Sequence, residues 1–155
     1  MVAIDLSEDG PKVIAVVGAR EHVLKSQEFS TIAARLKHYR EVRSKEKRSY
    51  IKAFPRRYLK LLNYIETAKV YVYGVKAIEE INTLLQKLKP ALIIVDDKLY
   101  NKINYPENQK RREGEAKRKY EEHLKKIADN LANYFRLLLK NDPKKFREEL
   151  ERLKK

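Results

Sequence analysis

The eight residues Pro90-Ala91-Leu92-Ile93-Ile94-Val95-Asp96-Asp97 decide the fold of this chain. A short, uninterrupted apolar run that is rich in β-branched residues predicts a strand buried on both faces, usually in a parallel arrangement. Ligands of open α/β sheets bind at the carboxyl ends of such strands. Asp96 and Asp97 therefore lie where a functional site is expected, although two such acids can also simply begin a turn.

Composition narrows the class of protein. The chain has 155 residues, which suits a single domain, and its 36 Lys and Arg against 22 Asp and Glu give a formal net charge of +14. Such an excess predicts attraction to polyanions, with nucleic acid first and an anionic membrane surface second. The alternative is a surface that is basic only for solubility. The absence of cysteine excludes disulfides and thiolate zinc sites.

Neither a membrane span nor a signal peptide is expected. No apolar stretch approaches the roughly 18 residues that a span needs, so we expect a cytoplasmic protein that does not enter a membrane. A composition high in Lys, Glu, Ile and Tyr that lacks Cys and Trp is typical of a thermophile. Whether the chain forms a homo-oligomer is left open.

The first third of the chain predicts a hairpin followed by a helix. Residues 2–7 and 12–20 are rich in apolar, β-branched residues, and the turn between them makes an antiparallel hairpin. Residues 22–29 predict a weaker third strand. Ser30 is then expected to cap a helix that ends near residue 44. Its apolar positions recur at helical spacing: Ile32, Leu36, Tyr39 and Val42.

The rest of the chain predicts an α/β unit and a long final helix. A helix is expected around Pro55, a strand over 69–75, a helix over 76–89, and then the strand of 90–97, reached by a crossover and parallel to the strand before it. Residues 98–108 form a polar loop, and a long helix is predicted from 109 to 140. We expect residues 1–140 to form the domain and residues 141–155 to form a short charged helix that packs on it or extends from it.

Positive charge is concentrated in residues 35–60, which carry eleven basic and two acidic residues, a net of +9. Basic groups neutralise phosphates, and aromatic rings stack on bases. The segment interleaves both kinds of residue, although its rings can equally belong to the core. The candidate nucleic-acid contacts are Arg40, Arg43, Lys45, Lys47, Arg48, Arg56 and Arg57; the rings are Tyr39, Tyr50, Phe54 and Tyr58.

Asp5 lies inside an otherwise apolar first strand. A buried carboxylate is costly unless it is paired, hydrogen-bonded or bound to a metal. Because side chains alternate along a strand, only one of Asp96 and Asp97 can share a site with Asp5, and we choose Asp96, which is nearer the strand. Mg²⁺ or Mn²⁺ suits such oxygen ligands, and two ions about 4 Å apart can activate water and stabilise a leaving oxygen.

The third acid of the site is expected on the final helix. Glu113 lies two turns before Tyr120, in line with the apolar stripe of that helix, so it would face the sheet. Asp129 is the alternative, although a helical wheel places it opposite the stripe. Glu28 and Glu80 are further acids that the pattern does not rank.

The order of these elements resembles the ribonuclease H-like superfamily over roughly residues 2–140. The local similarity is to type-two ribonuclease H enzymes, in Tyr73-Gly74-Val75, in Ile78-Glu79-Glu80-Ile81-Asn82 and in Pro90 to Asp96. The resemblance implies a mixed sheet flanked by helices, with Asp5 and Asp96 as metal ligands. Those enzymes carry Asp-Glu and a glycine-rich turn at the first strand, whereas Asp5 is followed by Leu6-Ser7-Glu8. This departure concerns recognition of a ribonucleotide–DNA junction rather than the fold.

Two functions follow as hypotheses. The first is a metal-dependent nuclease acting on nucleic acid, with single strands favoured because the rings of residues 35–60 could stack on unpaired bases. Its candidate catalytic residues are Asp5, Asp96, Glu113 and Asp129, with the first three as metal ligands. The second is a non-catalytic nucleic-acid-binding module on the same fold, which needs only the basic surface.

Overall fold

The hairpin and the buried strand belong to one five-stranded mixed sheet. The computed structural model describes residues 1–153. The strand order is β3-β2-β1-β4-β5, with β1 antiparallel to β2, β2 antiparallel to β3, and β4 parallel to both β1 and β5. The strands are β1 (Val2–Leu6), β2 (Val13–Gly18), β3 (Thr67–Val72), β4 (Ile93–Val95) and β5 (Lys110–Arg112).

Helices cover both faces of this sheet, which confirms the predicted α/β fold class. Within residues 1–153 there are seven α-helices: α1 (Glu21–Leu24), α2 (Gln27–Ala33), α3 (Lys47–Lys52), α4 (Phe54–Leu61), α5 (Val75–Leu88), α6 (Lys119–Asn141) and α7 (Pro143–Arg152). The apolar residues of α6 share one core cluster with Ala3 of β1, whereas those of α5 share the other cluster with Ile4. Asp5 alternates with Ile4, so its side chain lies on the α6 face.

The crossover joins two strands that are not neighbours. β3 and β4 run in the same direction, as predicted, but β2 and β1 lie between them. α5 spans this distance and buries Ala77, Ile81 and Leu85 against its face of the sheet. β4 consequently pairs with β1, the strand that carries Asp5.

The prediction of a third strand over residues 22–29 is wrong. These residues belong to α1 and α2, and the place beside β2 is taken by β3. The Ser26 hydroxyl accepts a hydrogen bond from the Phe29 N–H at 3.3 Å and so caps α2 four residues before the predicted cap. α2 ends at Ala33, and the stripe of buried residues that follows belongs to a loop and a 3-10 turn, Tyr39–Glu41.

The final helix is shorter than predicted. α6 begins at Lys119 rather than at residue 109, because residues 110–112 add β5 to the edge of the sheet. A 3-10 turn, Glu113–Glu115, follows β5 directly. Glu113 therefore lies at the end of a strand and not on the helix. α7 begins at Pro143, where a helix was expected, and Phe146 packs its ring edge-on against Phe135 of α6 with centroids 5.7 Å apart.

Candidate active site

Three acids lie in a row because three parallel strands end in register. The backbone pairing aligns Ile4 with Val95 and Val95 with Arg112. The next residue of each strand is an acid, namely Asp5, Asp96 and Glu113. Within residues 1–153 these are the acids that could jointly hold a metal ion, with one carboxylate oxygen from each lying within 4.8 Å of the others.

Short local hydrogen bonds orient the first two carboxylates. The Leu6 N–H donates to Asp5 Oδ1 at 3.0 Å, and the Lys98 N–H donates to Asp96 Oδ1 at 2.8 Å. The Asp96 N–H also donates to the Ile4 carbonyl at 2.9 Å, so the pairing with β1 continues one residue past β4. The backbone thus places each carboxylate before any ligand arrives.

Asp129 reaches the same pocket from α6. The Tyr39 N–H donates to its Oδ2 at 2.6 Å, and Asn133 Nδ2 donates to its Oδ1 at 3.2 Å. The helical-wheel argument that turned Asp129 away from the site is wrong, because α6 is buried on more than one side in its middle. One side packs on the sheet, and the other contacts the loop that contains Tyr39.

The pocket around these residues is acidic and has a volume of about 310 Å³. Its charged lining includes the cations Arg40, Lys98 and Lys125. It also includes six acids: Asp5, Glu8, Asp96, Asp97, Glu113 and Asp129. Acids exceed cations there although the chain as a whole is basic.

The acids of this pocket are difficult to ionise together. Burial, the charge of Asp129 and the contact with Asp96 raise the pKa of Asp5 well above its ordinary value. Burial and the charge of Asp96 raise the pKa of Glu113. Burial also raises the pKa of Asp129, and the Tyr39 N–H partly offsets that effect. A divalent cation would relieve this repulsion, because it compensates the charge that burial and proximity make costly.

The other predicted acids lie elsewhere or at the rim. Asp97 is exposed at the rim of the pocket, with its Oδ1 4.0 Å from Arg112 Nη1. Glu28 and Glu80 are exposed and do not line the pocket. The alternation that favoured Asp96 over Asp97 agrees with this placement.

Two of the seven predicted basic residues lie beside the pocket. Arg40 lines it, and Lys47 Nζ lies 3.6 Å from Oε2 of Glu8. Arg57 is half-buried, with its guanidinium stacked 4.4 Å from the centroid of the Tyr50 ring. The remaining four do not line the pocket and are exposed: Arg43, Lys45, Arg48 and Arg56.

The rings of residues 35–60 are mainly core residues. Tyr39, Phe54 and Tyr58 are at most 9% exposed, and Tyr50 is covered by Arg57. For Tyr39, Phe54 and Tyr58 the expectation that the rings stack on unpaired bases is therefore wrong, because packing in the core removes them from the surface.

Sequence reasoning missed Lys125, which lines the pocket, and Asn133, which contacts the lining residue Glu8. Lys125 donates from Nζ to the Glu113 carbonyl oxygen. It lies one helical turn before Asp129, so the i, i+4 spacing on α6 is a signal that could have found it. The Asn133 Oδ1 accepts from the Glu8 N–H at 3.4 Å, and no pattern in the sequence indicates that contact.

Topology and site together define a ribonuclease H-like fold with an acidic pocket at the carboxyl ends of its central strands. A similar solved structure is that of RNase H3 from Aquifex aeolicus, with a TM-score of 0.50 and 20% sequence identity over 99% of this chain and 68% of that chain. This similarity supports the fold. No protein-family model matches the chain, and no curated protein matches it. Within residues 1–153, no helix is long and apolar enough to cross a membrane.

Proposed function

We propose that this chain is a metal-dependent nuclease that hydrolyses phosphodiester bonds of nucleic acid. The observation that carries the proposal is the row of Asp5, Asp96 and Glu113, whose oxygens lie within 4.8 Å of one another at the ends of three adjacent strands. Had Asp5 and Asp96 been more than about 8 Å apart, too far to share one metal or a two-metal pair, the binding module would be favoured. Their proximity favours the nuclease.

The donor set fits Mg²⁺ or Mn²⁺. Both are hard cations that take carboxylate oxygens and retain several water ligands, and the open pocket leaves room for water and phosphate oxygens. Asp5, Asp96 and Glu113 would hold the metal. When bound, it would supply Lewis acidity that lowers the pKa of a water molecule and stabilises a departing oxygen.

The remaining residues of the pocket position and balance this set. Asp129 contacts Asp5 and is itself held by the Tyr39 N–H and Asn133, so it fixes the orientation of Asp5. Lys125 and Arg40 place positive charge beside the acids, where a substrate phosphate would lie. In the net reaction a water oxygen bonds to phosphorus, the ester P–O bond breaks, and the leaving oxygen takes a proton.

The test is a metal-dependence assay on labelled single-stranded DNA, single-stranded RNA and RNA–DNA hybrid. Asp5→Asn keeps the shape and removes the charge, so it is expected to lower the rate by at least about 100-fold, as for a residue that acts mainly on the transition state. Asp9→Asn is the matched control, since Asp9 is exposed and outside the pocket. Equal activity of wild type and Asp5→Asn would contradict the proposal, and binding without cleavage on all three substrates would leave the binding module.

The choice among substrates is also part of the proposal. Single strands remain the prediction, now without support from the buried rings, so the hybrid and the two single strands are compared at equal concentration. Binding is proposed to use the exposed cations of residues 35–60. Charge reversal at Arg43 and Arg56 should weaken it, whereas reversal at Lys76 and Lys87, which are exposed on α5 on the other face of the sheet, should not. Lys47 is left unchanged because it pairs with Glu8.

A further inference from the structure

A second pocket adjoins the acidic one at the start of α6. It has a volume of about 620 Å³. Its lining comes from α2 and the loop that follows it, from the 3-10 turn, and from the residues just before α6 together with the first turns of that helix. His38 lines both pockets, with its Nε2 3.3 Å from Oε2 of Glu122. The two pockets are therefore neighbours on one surface.

The charge of this lysine-rich pocket is opposite to that of its neighbour. Its cations are Lys117, Arg118, Lys119 and Lys126. Within residues 1–153 none of these four makes an ion pair within 4.0 Å. Its two acids are Glu41 and Glu122, and Glu122 already contacts His38 and Lys125. The lysine-rich pocket thus presents unpaired positive charge. The acidic pocket beside it would repel phosphate in the absence of metal.

The start of α6 adds to this field. The helix has 23 residues, and its N-cap Arg118 makes no side-chain cap hydrogen bond. The N-terminus of a helix carries partial positive charge and unsatisfied backbone N–H groups. Three consecutive cations, Lys117 to Lys119, lie at that end. The two acids of the first turn, Glu121 and Glu122, are paired with other residues: Glu121 with Arg111, and Glu122 with His38 and Lys125.

A buried histidine provides an independent indication of a ligand. His123 lines the lysine-rich pocket and is 6% exposed, and its Nδ1 has no hydrogen-bond partner in the part of the chain that the structure describes. A buried polar atom without a partner is destabilising, because it has lost its hydrogen bonds to water and gained none in the protein. Burial lowers the pKa of His123, and a neutral imidazole can carry its proton on Nδ1 and donate it to an oxygen.

We infer that the lysine-rich pocket binds a backbone phosphate of the nucleic-acid strand whose neighbouring phosphate is presented to the acidic pocket. The inference rests on the proposed function for the identity of the ligand. A phosphate diester supplies the negative charge that the cations and the helix N-terminus lack, together with an acceptor oxygen for His123. The pocket holds the strand by charge, and the acidic pocket acts on the next phosphate.

The test measures binding without cleavage. Asp5→Asn protein in EDTA is titrated into a fluorescently labelled single-stranded oligonucleotide, and the dissociation constant is followed by anisotropy. Adding Lys117→Gln and Lys119→Gln should weaken binding about 10-fold or more, as expected when hydrogen bonds to charged groups are lost. The matched control adds Lys76→Gln and Lys87→Gln, an identical change of charge on α5, and should change affinity less than about 3-fold.

A second variant separates specific contact from general attraction. His123→Phe keeps an aromatic ring against Phe29, whose centroid lies 6.1 Å from that of the histidine, and removes Nδ1 without changing the charge of a neutral imidazole. It should weaken oligonucleotide binding several-fold and leave the melting temperature unchanged or higher. A histidine with a purely structural role would leave the affinity unchanged.

The outcomes distinguish this inference from the proposed function. Weaker binding in both pocket variants, with no cleavage by wild type in any metal, would support the phosphate site while the nuclease fails. Unchanged affinity in both variants, or no binding of oligonucleotide at all, would overturn the inference. If inorganic phosphate raises the melting temperature of the wild type but the oligonucleotide affinities are equal, the pocket binds an adventitious ion only, and the inference is likewise overturned.

Discussion

Removing the charge of Asp5 should stabilise the metal-free protein while it lowers the proposed nuclease activity. Replacing a residue that packs in the core lowers the stability of the protein. Carboxylates that share a metal site repel one another in the absence of the metal, so removing one of their charges raises the stability of the metal-free protein. Asp5→Asn keeps the volume and one acceptor oxygen. A gain in stability together with a loss of activity distinguishes a metal-binding carboxylate from a structural one.

The magnitude follows from the geometry. The ligand oxygens of Asp5, Asp96 and Glu113 lie within 4.8 Å of one another, and at 4.8 Å two unit charges repel by about 0.9 kcal/mol in bulk water and about 3.5 kcal/mol at an effective dielectric constant of about 20. Asp5 has two such neighbours. The larger value is an upper limit, because the raised pKa of Asp5 favours uptake of a proton, which relieves part of the repulsion. We therefore expect a gain of about 2 kcal/mol near pH 8, which corresponds to a melting temperature about 4–8 °C higher.

The effect should depend on pH with a defined sign. The pKa of Asp5 is raised in the folded protein, so its contribution to stability is fully present below the unfolded pKa of about 3.9 and is lost as pH rises toward the folded pKa. Asparagine does not titrate at this position. The stability of Asp5→Asn should therefore exceed that of wild type increasingly from about pH 4 upward.

Thermal and urea unfolding in EDTA, with and without excess Mg²⁺, measure these differences. At 100 times its dissociation constant, a ligand adds about 2.7 kcal/mol to the wild type, and Asp5→Asn should gain much less. Asp9→Asn should behave as wild type throughout. The reasoning is refuted if Asp5→Asn is less stable than wild type in EDTA at pH 8, or if Mg²⁺ stabilises both proteins equally.

Three further predictions concern the surroundings of the site. Glu121→Gln should lower the free energy of unfolding by about 3 kcal/mol in urea titration, because it breaks the ion pair with Arg111 that joins α6 to β5, and the Glu121 side chain is only 2% exposed. A loss below about 0.5 kcal/mol would show that this pair does not stabilise the fold. Asn133→Ala should reduce the cleavage rate about 10-fold and stability by about 1–2 kcal/mol, since it removes a donor to Asp129 and an acceptor for the Glu8 N–H, and an unchanged rate would separate Asp129 from catalysis. In the variant with charge reversal at Arg43 and Arg56, the slope of log affinity against log salt concentration should become less steep by about 1.4, if each arginine neutralises one phosphate of a single strand. An unchanged slope would show that these arginines do not contact the nucleic acid.

The sequence by itself determined the class of fold and two acids of the candidate site. The apolar run before Asp96 and the alternation around Asp5 are local patterns, since burial imposes a period on each strand regardless of what it packs against. Glu113 lies in the row of acids with Asp5 and Asp96, but for a different reason from the one predicted. The predicted helix from residue 109 would have directed Glu113 toward the sheet. In the structure Glu113 directly follows β5, and that strand sets its position.

Only the tertiary structure decided which acids meet. The row of three carboxylates depends on the register between β1, β4 and β5, and register is set by pairing between segments far apart in sequence. Likewise, Asp129 faces the pocket because α6 is packed on two sides, which a helical wheel with one apolar stripe does not represent. The periodicity of apolar residues indicates whether a position is buried, but not which distant segment packs against it. The candidate site is formed by contacts between such distant segments, so the sequence pattern does not predict it.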